Sequence, residues 1–152
     1  MDAGPPVPPE LLAAPGYQVR RLYQAYLAIW GRRVDATLTG PQFALLTAVQ
    51  ARPGSDQRSL ASAVALDSST MTDVARRLED QGLVARVASA ADARRKLLYL
   101  TERGAEVLAA AERRVRALDD LLLEPYPPER RAELVGLLSA LAAHWEELAA
   151  GS

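Results

Sequence analysis

Small hydroxyl side chains and cations are concentrated between residues 59 and 96, and these residue types suggest a chemical role. Serines and threonines cluster from Ser68 to Thr72, and Arg76 and Arg77 follow one helical turn later. Hydroxyl and guanidinium groups form hydrogen bonds with phosphate oxygens and with the edges of bases, which requires neither a nucleophile nor a metal. The spacing therefore predicts a surface that binds a polyanion.

Residues that could support catalysis or bind a metal are few. The chain has no cysteine and one histidine, His144. A thiol nucleophile, a thiolate metal site and cysteine-based redox sensing are therefore excluded, and a cluster of imidazole ligands is disfavoured. We expect no enzymatic activity, no cofactor and no metal site.

Charge is distributed unevenly along the chain, whose formal net charge is −1. Residues 86–96 contain four basic residues and one acid, whereas residues 118–152 contain two basic residues and seven acids. This asymmetry favours one surface that attracts polyanions and another that faces away from them.

Hydrophobic periodicity predicts short helices and one hairpin around the polar residues. Two helical patterns, Ser59–Val64 and Ser69–Gln81, are separated by only a few residues, a spacing typical of a helix-turn-helix. Leu83–Val87 and Lys96–Leu100 are rich in β-forming residues and flank a loop of small and charged side chains. This arrangement predicts a hairpin wing directly after the helix-turn-helix.

Long amphipathic patterns flank the predicted helix-turn-helix and wing. Residues 16–37 and 102–150 carry broad apolar stripes, which are more than a thin single domain can bury, so we expect them to form a dimer interface. Residues 1–15 are proline-rich, and we expect them to form a flexible arm. The predicted fold is therefore mainly α with a small β-hairpin wing, and residues 38–101 are predicted to form a winged helix-turn-helix region within one compact domain.

Five motifs, in the same order along the chain, resemble the multiple antibiotic resistance regulator (MarR) family. They are LTGPQF at 38–43, SLASAVALDSST at 59–70, RLEDQGLV at 77–84, DARR at 92–95 and LTERG at 100–104. Each motif alone is weak, but five in register are specific. The resemblance implies a homodimeric winged helix-turn-helix regulator that binds double-stranded DNA and represses transcription at a pseudo-palindromic operator.

The helix at 69–81 is expected to enter the major groove and the wing to approach the minor groove. A narrow minor groove favours a guanidinium group, so we expect Arg94 to enter it. By resemblance Asp92 orients Arg94, although a turn carboxylate is the alternative. The predicted DNA-binding residues are Ser59, Ser68, Ser69, Thr70, Thr72, Asp73, Arg76, Arg77, Arg86, Asp92, Arg94, Arg95 and Lys96.

The chain departs from the family pattern at two positions. Ala65 stands in the turn, where many relatives have glycine, which affects the angle between the two helices. Asp73 stands on the outward face of the recognition helix, where a basic residue is common. Asp73 could accept a hydrogen bond from a cytosine amino group, or it could simply hold Arg76 or Arg77.

The first long helical pattern also resembles family members that sense aromatic acids or their coenzyme A thioesters. Aromatic rings there could stack on a ligand ring, and arginines could pair with a carboxylate. We therefore expect an anionic aromatic effector, although the same aromatic residues could belong to the dimer core. The candidate ligand-binding residues are Tyr17, Arg20, Arg21, Tyr23 and Trp30.

One different function remains open at this point. A winged helix can serve as a protein-interaction module that does not bind DNA, and this alternative predicts a neutral recognition face rather than one joined to a basic wing. The chain begins with neither a basic nor an apolar leader and has no uncharged apolar run of about 20 residues, so we expect a cytoplasmic protein.

Overall fold

The computed structural model describes residues 4–151, which form helices and a small antiparallel sheet. The helices are α1 (Pro9–Leu12), α2 (Pro15–Arg33), α3 (Gly40–Ala51), α4 (Gln57–Ala63), α5 (Ser68–Asp80), α6 (Glu102–Leu122) and α7 (Pro128–Ala150). The strands are β1 (Ser55–Asp56), β2 (Val84–Ala88) and β3 (Lys96–Leu100), in the order β1-β3-β2. The prediction of a mainly α fold with a β-hairpin wing is confirmed.

The described residues form two compact units, one ending at Val115 and the other beginning at Arg116. The prediction of one compact domain stays a prediction. None of the helices described between residues 4 and 151 is both long enough and apolar enough to cross a membrane.

The helix-turn-helix and the wing share one hydrophobic core within the first unit. Helices α3, α5 and α6 and strand β3 each contribute completely buried side chains, the largest of which are Leu45, Leu46, Val49, Met71, Leu78, Leu98 and Leu108. Because protein cores are closely packed, this shared core fixes the wing relative to α5.

Side-chain caps define where the helices of the first unit begin. Thr39 and Gln42 form a capping box at α3, in which each side chain binds the other residue's backbone N–H. Asp56 accepts from the Ser59 amide at the start of α4, and Asp67 accepts from the Thr70 amide at the start of α5. These bonds satisfy N–H groups that have no partner within the helix.

Left-handed backbone conformations occur at both ends of α5, besides the one at Gly54. Gly82 ends α5 with a φ of 72°, and Ala65, between α4 and α5, has a φ of 55°. Glycine adopts such a conformation without steric cost, whereas alanine does not. The position where many relatives have glycine is therefore one where the backbone of this chain is strained.

The strand β1 connects the start of α4 to the wing. Ser55 pairs with Leu98 and Asp56 pairs with Leu97. Strands β2 and β3 form the hairpin, in which the first pair is Val84 with Leu100 and the last is Ala88 with Lys96. Strand β1 was not predicted. It places Asp56, the residue that caps α4, at the edge of the wing.

The amino-terminal segment that was predicted to form a flexible arm contains regular structure. Pro9–Leu12 form α1, and Pro15 begins α2, so the regular structure starts within the segment 1–15. Residues 1–3 of the predicted arm lie outside the described residues.

Candidate nucleic-acid interface

The first turn of α5 is organised by Asp67. Its carboxylate accepts hydrogen bonds from the Thr70 amide at 2.8 Å, from the Thr70 hydroxyl at 2.7 Å and from the Ser69 hydroxyl at 2.7 Å. These donors, those of Thr70 foremost, hold the pKa of Asp67 far below its usual range. The hydroxyls of Ser69 and Thr70, both predicted DNA contacts, thus stabilise the start of the helix.

One face of α5 is polar and exposed. Met71, Val74, Ala75 and Leu78 form the buried side. The predicted contacts Ser68, Ser69, Thr72, Asp73, Arg76 and Arg77 are exposed, whereas Thr70 is half-buried. The structure therefore brings six of the predicted residues together on one accessible helix surface.

Asp73 and Arg76 form an ion pair on the exposed face of α5. The Arg76 Nη2 lies 2.8 Å from the Asp73 Oδ1, and the two side chains are 59% and 58% exposed. The sequence left open whether Asp73 contacts a cytosine or holds Arg76 or Arg77. In the unbound chain, Asp73 holds Arg76.

The tip of the wing is built around Asp92. Its Oδ1 accepts a hydrogen bond from the Arg94 amide at 3.0 Å and lies 3.6 Å from the Arg94 Nε. The backbone also turns here, because the Arg95 amide donates to the Asp92 carbonyl at 3.0 Å. The Asp92 carboxylate therefore both supports the turn and lies beside the Arg94 guanidinium group. The Arg94 side chain remains 95% exposed.

Arg95 connects the wing to α4 instead of extending freely. Its Nη2 lies 2.8 Å from the Asp56 Oδ2, and the Ser59 amide and hydroxyl both donate to the same carboxylate at 2.9 Å. The Ser59 amide, followed by Arg95, lowers the pKa of Asp56 to about 2. Two predicted contacts, Ser59 and Arg95, therefore meet at Asp56.

Arg86 was predicted to contact phosphates, but the structure gives it internal partners. Its Nε lies 3.3 Å from a Glu79 carboxylate oxygen, its Nη1 donates to Gln57 at 3.3 Å, and its side chain is only 23% exposed. Gln57 in turn donates to the Thr72 hydroxyl at 3.3 Å. Arg86 thus helps to hold α4, α5 and the wing strand together.

A cleft of about 890 Å³ lies where the start of α4, the start of α5 and the wing meet. Four cations and two carboxylates line it, together with small polar groups and one apolar side chain. These residues are Asp56, Gln57, Arg58, Ser59, Ser68, Met71, Asp92, Arg94, Arg95 and Lys96. Six of the predicted contacts therefore surround one positively charged cleft.

The two carboxylates that organise this interface, Asp56 and Asp67, were absent from the predicted set. The sequence contains a pattern that indicates both aspartates. Each is an aspartate close before the start of a helical pattern, which is typical of an N-cap. Glu79, the partner of Arg86, had no comparable signal because its contact crosses from α5 to β2.

The candidate ligand-binding residues do not form one group. The guanidinium carbons of Arg20 and Arg21 lie 5.4 Å and 5.7 Å from the ring centre of Tyr17, and Tyr23 is exposed. Trp30 is 5% exposed and its Nε1 donates to the Leu38 carbonyl at 2.7 Å, which favours the alternative that this aromatic side chain packs in a core. Trp30 is therefore a core residue, not a free aromatic surface.

A helix-turn-helix that shares its core with a basic hairpin wing defines a winged-helix DNA-binding protein. The model of the MarR family matches residues 38–96 of the chain. The transcriptional regulator HosA of Escherichia coli is 39% identical over 95 residues, which cover 62% of this chain and 70% of HosA. The chain belongs to the MarR family and is a DNA-binding transcriptional regulator.

Solved structures agree with this assignment along most of the chain. The PcaV transcriptional regulator from Streptomyces coelicolor, crystallised with its natural ligand, is 35% identical with a TM-score of 0.86, covering 91% of this chain and 97% of PcaV. The transcriptional repressor CouR, bound to a 23-mer DNA duplex, is 27% identical with a TM-score of 0.81, covering 91% and 99%. CouR has also been solved bound to p-coumaroyl-CoA.

Proposed function

We propose that the chain represses transcription as a homodimer that occupies a pseudo-palindromic operator, with α5 in the major groove and Arg94 in the minor groove. The observation that carries this proposal is the position of Arg94, exposed at the wing tip beside the positively charged cleft that the starts of α4 and α5 also line. An arginine held by its backbone with a free guanidinium group suits insertion into a narrow groove.

The remaining contacts divide by chemistry. The exposed side chains of α5, namely Ser68, Ser69, Thr72, Arg76 and Arg77, face the base edges or the adjacent phosphates. Lys96 and Arg95 provide positive charge for phosphates from the wing, and Ser59 approaches the backbone from α4. Phosphate contacts increase affinity without reading sequence, so specificity depends on α5 and Arg94.

Dimerisation is proposed to use residues 16–37 and 102–150. Helix α2 carries the exposed apolar side chains Leu22 and Leu27, and α7 carries Leu137, Leu138 and Leu148. Exposed apolar area on this scale is unusual for a monomer and typical of an interface. A second copy also doubles the number of base pairs that are read.

A DNA-binding titration tests the repressor proposal. The purified full-length chain is titrated against duplexes from its own upstream region and against scrambled duplexes of equal length, at two salt concentrations. We expect tight binding to an upstream duplex that weakens steeply with salt, because released counterions drive the association. Absent or salt-insensitive binding would instead favour a winged helix that binds proteins.

We propose further that an anionic aromatic compound releases the DNA. The support on this chain is the cluster of Tyr17, Arg20 and Arg21, in which an aromatic ring and two cations lie side by side, with Tyr23 exposed on the same helix. The related repressor CouR binds p-coumaroyl-CoA, a thioester of an aromatic acid.

Calorimetry with benzoate- and cinnamate-type acids and their thioesters tests the effector. Heat of binding together with release of the upstream duplex supports it, and we expect Arg20→Ala or Arg21→Ala to weaken the effector without weakening DNA binding. A complete panel that neither binds nor releases DNA contradicts this part of the proposal alone. We place the activity in the cytoplasm, where a regulator meets its operator, and propose that the chain acts by binding, without catalysis.

A further inference from the structure

The ion pair between Asp73 and Arg76 has no adequate explanation in stability. The two residues are three positions apart on α5, and both are more than half exposed. Exposed pairs of this kind stabilise a helix only slightly. A carboxylate on a face that meets a polyanion weakens its association, so Asp73 must contribute something other than overall affinity.

The pairing changes what Arg76 prefers to bind. With Asp73 bound at 2.8 Å, the pair is close to neutral, so its attraction to the phosphate backbone is reduced. The bond uses one guanidinium nitrogen and one carboxylate oxygen, and the other donors of Arg76 and the second oxygen of Asp73 remain for a partner. A base edge that offers both acceptors and a donor satisfies this pair better than a phosphate, which offers acceptors alone.

The donor and acceptor pattern of the major groove identifies that base edge. Guanine presents two acceptors, O6 and N7, and cytosine presents an amino donor, N4. We propose that Asp73 and Arg76 act as one recognition unit, in which Arg76 donates to a guanine and Asp73 accepts from a cytosine in the same base pair or the next. This inference rests on the proposed function, because it requires α5 to enter the major groove.

Repulsion between Asp73 and the wrong bases contributes to specificity, as does the attraction to the right base. At the position of Asp73, guanine presents only acceptors and thymine presents an acceptor and a methyl group, so the carboxylate loses its hydration there without gaining a donor. Asp73 therefore costs some affinity for DNA in general and returns it where a base presents an amino donor, which cytosine does without the neighbouring N7 acceptor that adenine carries. Specificity is a difference between affinities, and a repulsive element raises it efficiently.

Selection from randomised duplexes tests the recognition unit. The full-length protein, Asp73→Ala and Asp73→Asn are each used to select half-site sequences, and the selected duplexes are then titrated with each variant. Asp80→Ala is the matched control, because it also removes one exposed carboxylate from α5 but lies a full two turns from Asp73.

We expect the unmodified protein to select a guanine with a neighbouring cytosine in each half-site. Asp73→Ala should lose at least tenfold of its preference for that cytosine while binding unselected DNA several-fold more tightly. Asp73→Asn should change the preference from cytosine to adenine, since an asparagine side chain matches the N6 and N7 atoms of adenine. Asp80→Ala should leave the selected sequence unchanged.

Two results overturn the inference, and they are distinguishable. If the protein selects a sequence but Asp73→Ala alters its affinity for all duplexes by the same factor as Asp80→Ala, the recognition unit is wrong and the proposed function stands. If the unmodified protein selects no sequence at all, the proposed function fails and the inference fails with it. Circular dichroism and thermal melting of each variant confirm that α5 remains folded.

Discussion

Single carboxylates control which cations of the candidate interface are available to DNA. Asp56 holds Arg95 and Glu79 holds Arg86, so these two guanidinium groups serve partly to fix the wing. Asp92 bonds the backbone of Arg94 and leaves its side chain almost fully exposed. The three arginines therefore have unequal roles, although their residue type is the same.

Arg94→Ala is expected to weaken operator binding at least tenfold, because the minor groove loses its guanidinium group while the turn around Asp92 depends only on the backbone. Fluorescence anisotropy with the selected operator measures the change. Arg130→Ala removes an equally positive, exposed charge from α7 and serves as the control. Unchanged affinity in Arg94→Ala, with Arg130→Ala also unchanged, would exclude the wing from recognition.

Asp56→Asn is expected to change how stability responds to acid. Since the folded pKa of Asp56, about 2, lies below its ordinary value of 3.8, the carboxylate stabilises the fold fully above pH 3.8 and progressively less as the pH falls through 2. Asparagine still caps α4 but cannot pair with Arg95. The melting temperatures of the two proteins should therefore differ near neutral pH and converge near pH 2, and a constant difference would contradict the assignment.

At the scale of elements, one backbone position determines how α4 meets α5, and a second determines how α6 meets the start of the wing. Ala65 turns the chain from α4 into α5, and Gly104 lies in the first turns of α6 against the carbonyl of Leu83, which precedes β2. The Thr101 hydroxyl donates to the Gly82 carbonyl at 2.6 Å and accepts from the Gly104 amide at 3.0 Å. The LTERG motif thus joins the residues that precede the wing to α6 through the Thr101 hydroxyl.

Ala65→Gly is expected to raise the free energy of unfolding by about 0.5–1 kcal/mol. It removes a left-handed alanine that costs about 1–2 kcal/mol, and the greater freedom of glycine in the unfolded chain offsets part of this gain. Denaturation with urea, followed by circular dichroism, gives the difference. A loss of stability would mean that the turn is not strained.

Gly104→Ala is expected to destabilise the protein by about 2–3 kcal/mol, because the added Cβ would collide with the backbone carbonyl of Leu83, which cannot rotate away. Gly31→Ala in α2 is the control, since its Cβ would meet nothing within 4 Å and alanine favours a helix. Chemical denaturation of both variants should show opposite signs, and equal effects would contradict the close contact.

For the whole molecule, the exposed apolar surface and the uneven charge point to an assembly of two copies. Leu22 of α2 is 62% exposed and Leu138 of α7 is 47% exposed. Seven acids lie between residues 118 and 152, away in sequence from the basic wing. A dimer that buries the apolar side chains leaves two basic wings for one duplex.

Leu22→Glu and Leu138→Glu, made separately, are each expected to shift the protein towards monomer, because a buried carboxylate without a partner is costly. Analytical ultracentrifugation measures the mass, and the anisotropy titration should show at least a tenfold weaker operator affinity, since half-sites then bind independently. A monomer that retains full operator affinity would contradict the dimeric mechanism.

Much of the fold and of the interface could be predicted because it depends on neighbours in sequence. The α5 helix, β3 and α6 follow from apolar spacing, and the polar face of α5 follows from the same period. The short helix α1 has four residues and no side-chain cap, so neither periodicity nor capping indicated it.

The sequence by itself determined the winged helix-turn-helix, the positive wing and the outward residues of α5, because helix periodicity, capping and turn formation act over a few residues. Only the tertiary structure decided that β1 joins the wing, that Trp30 is buried and donates to the Leu38 carbonyl, and that Arg95 and Arg86 have acidic partners. Those contacts join residues that are far apart in the chain, so no local sequence pattern indicates which residues will pair.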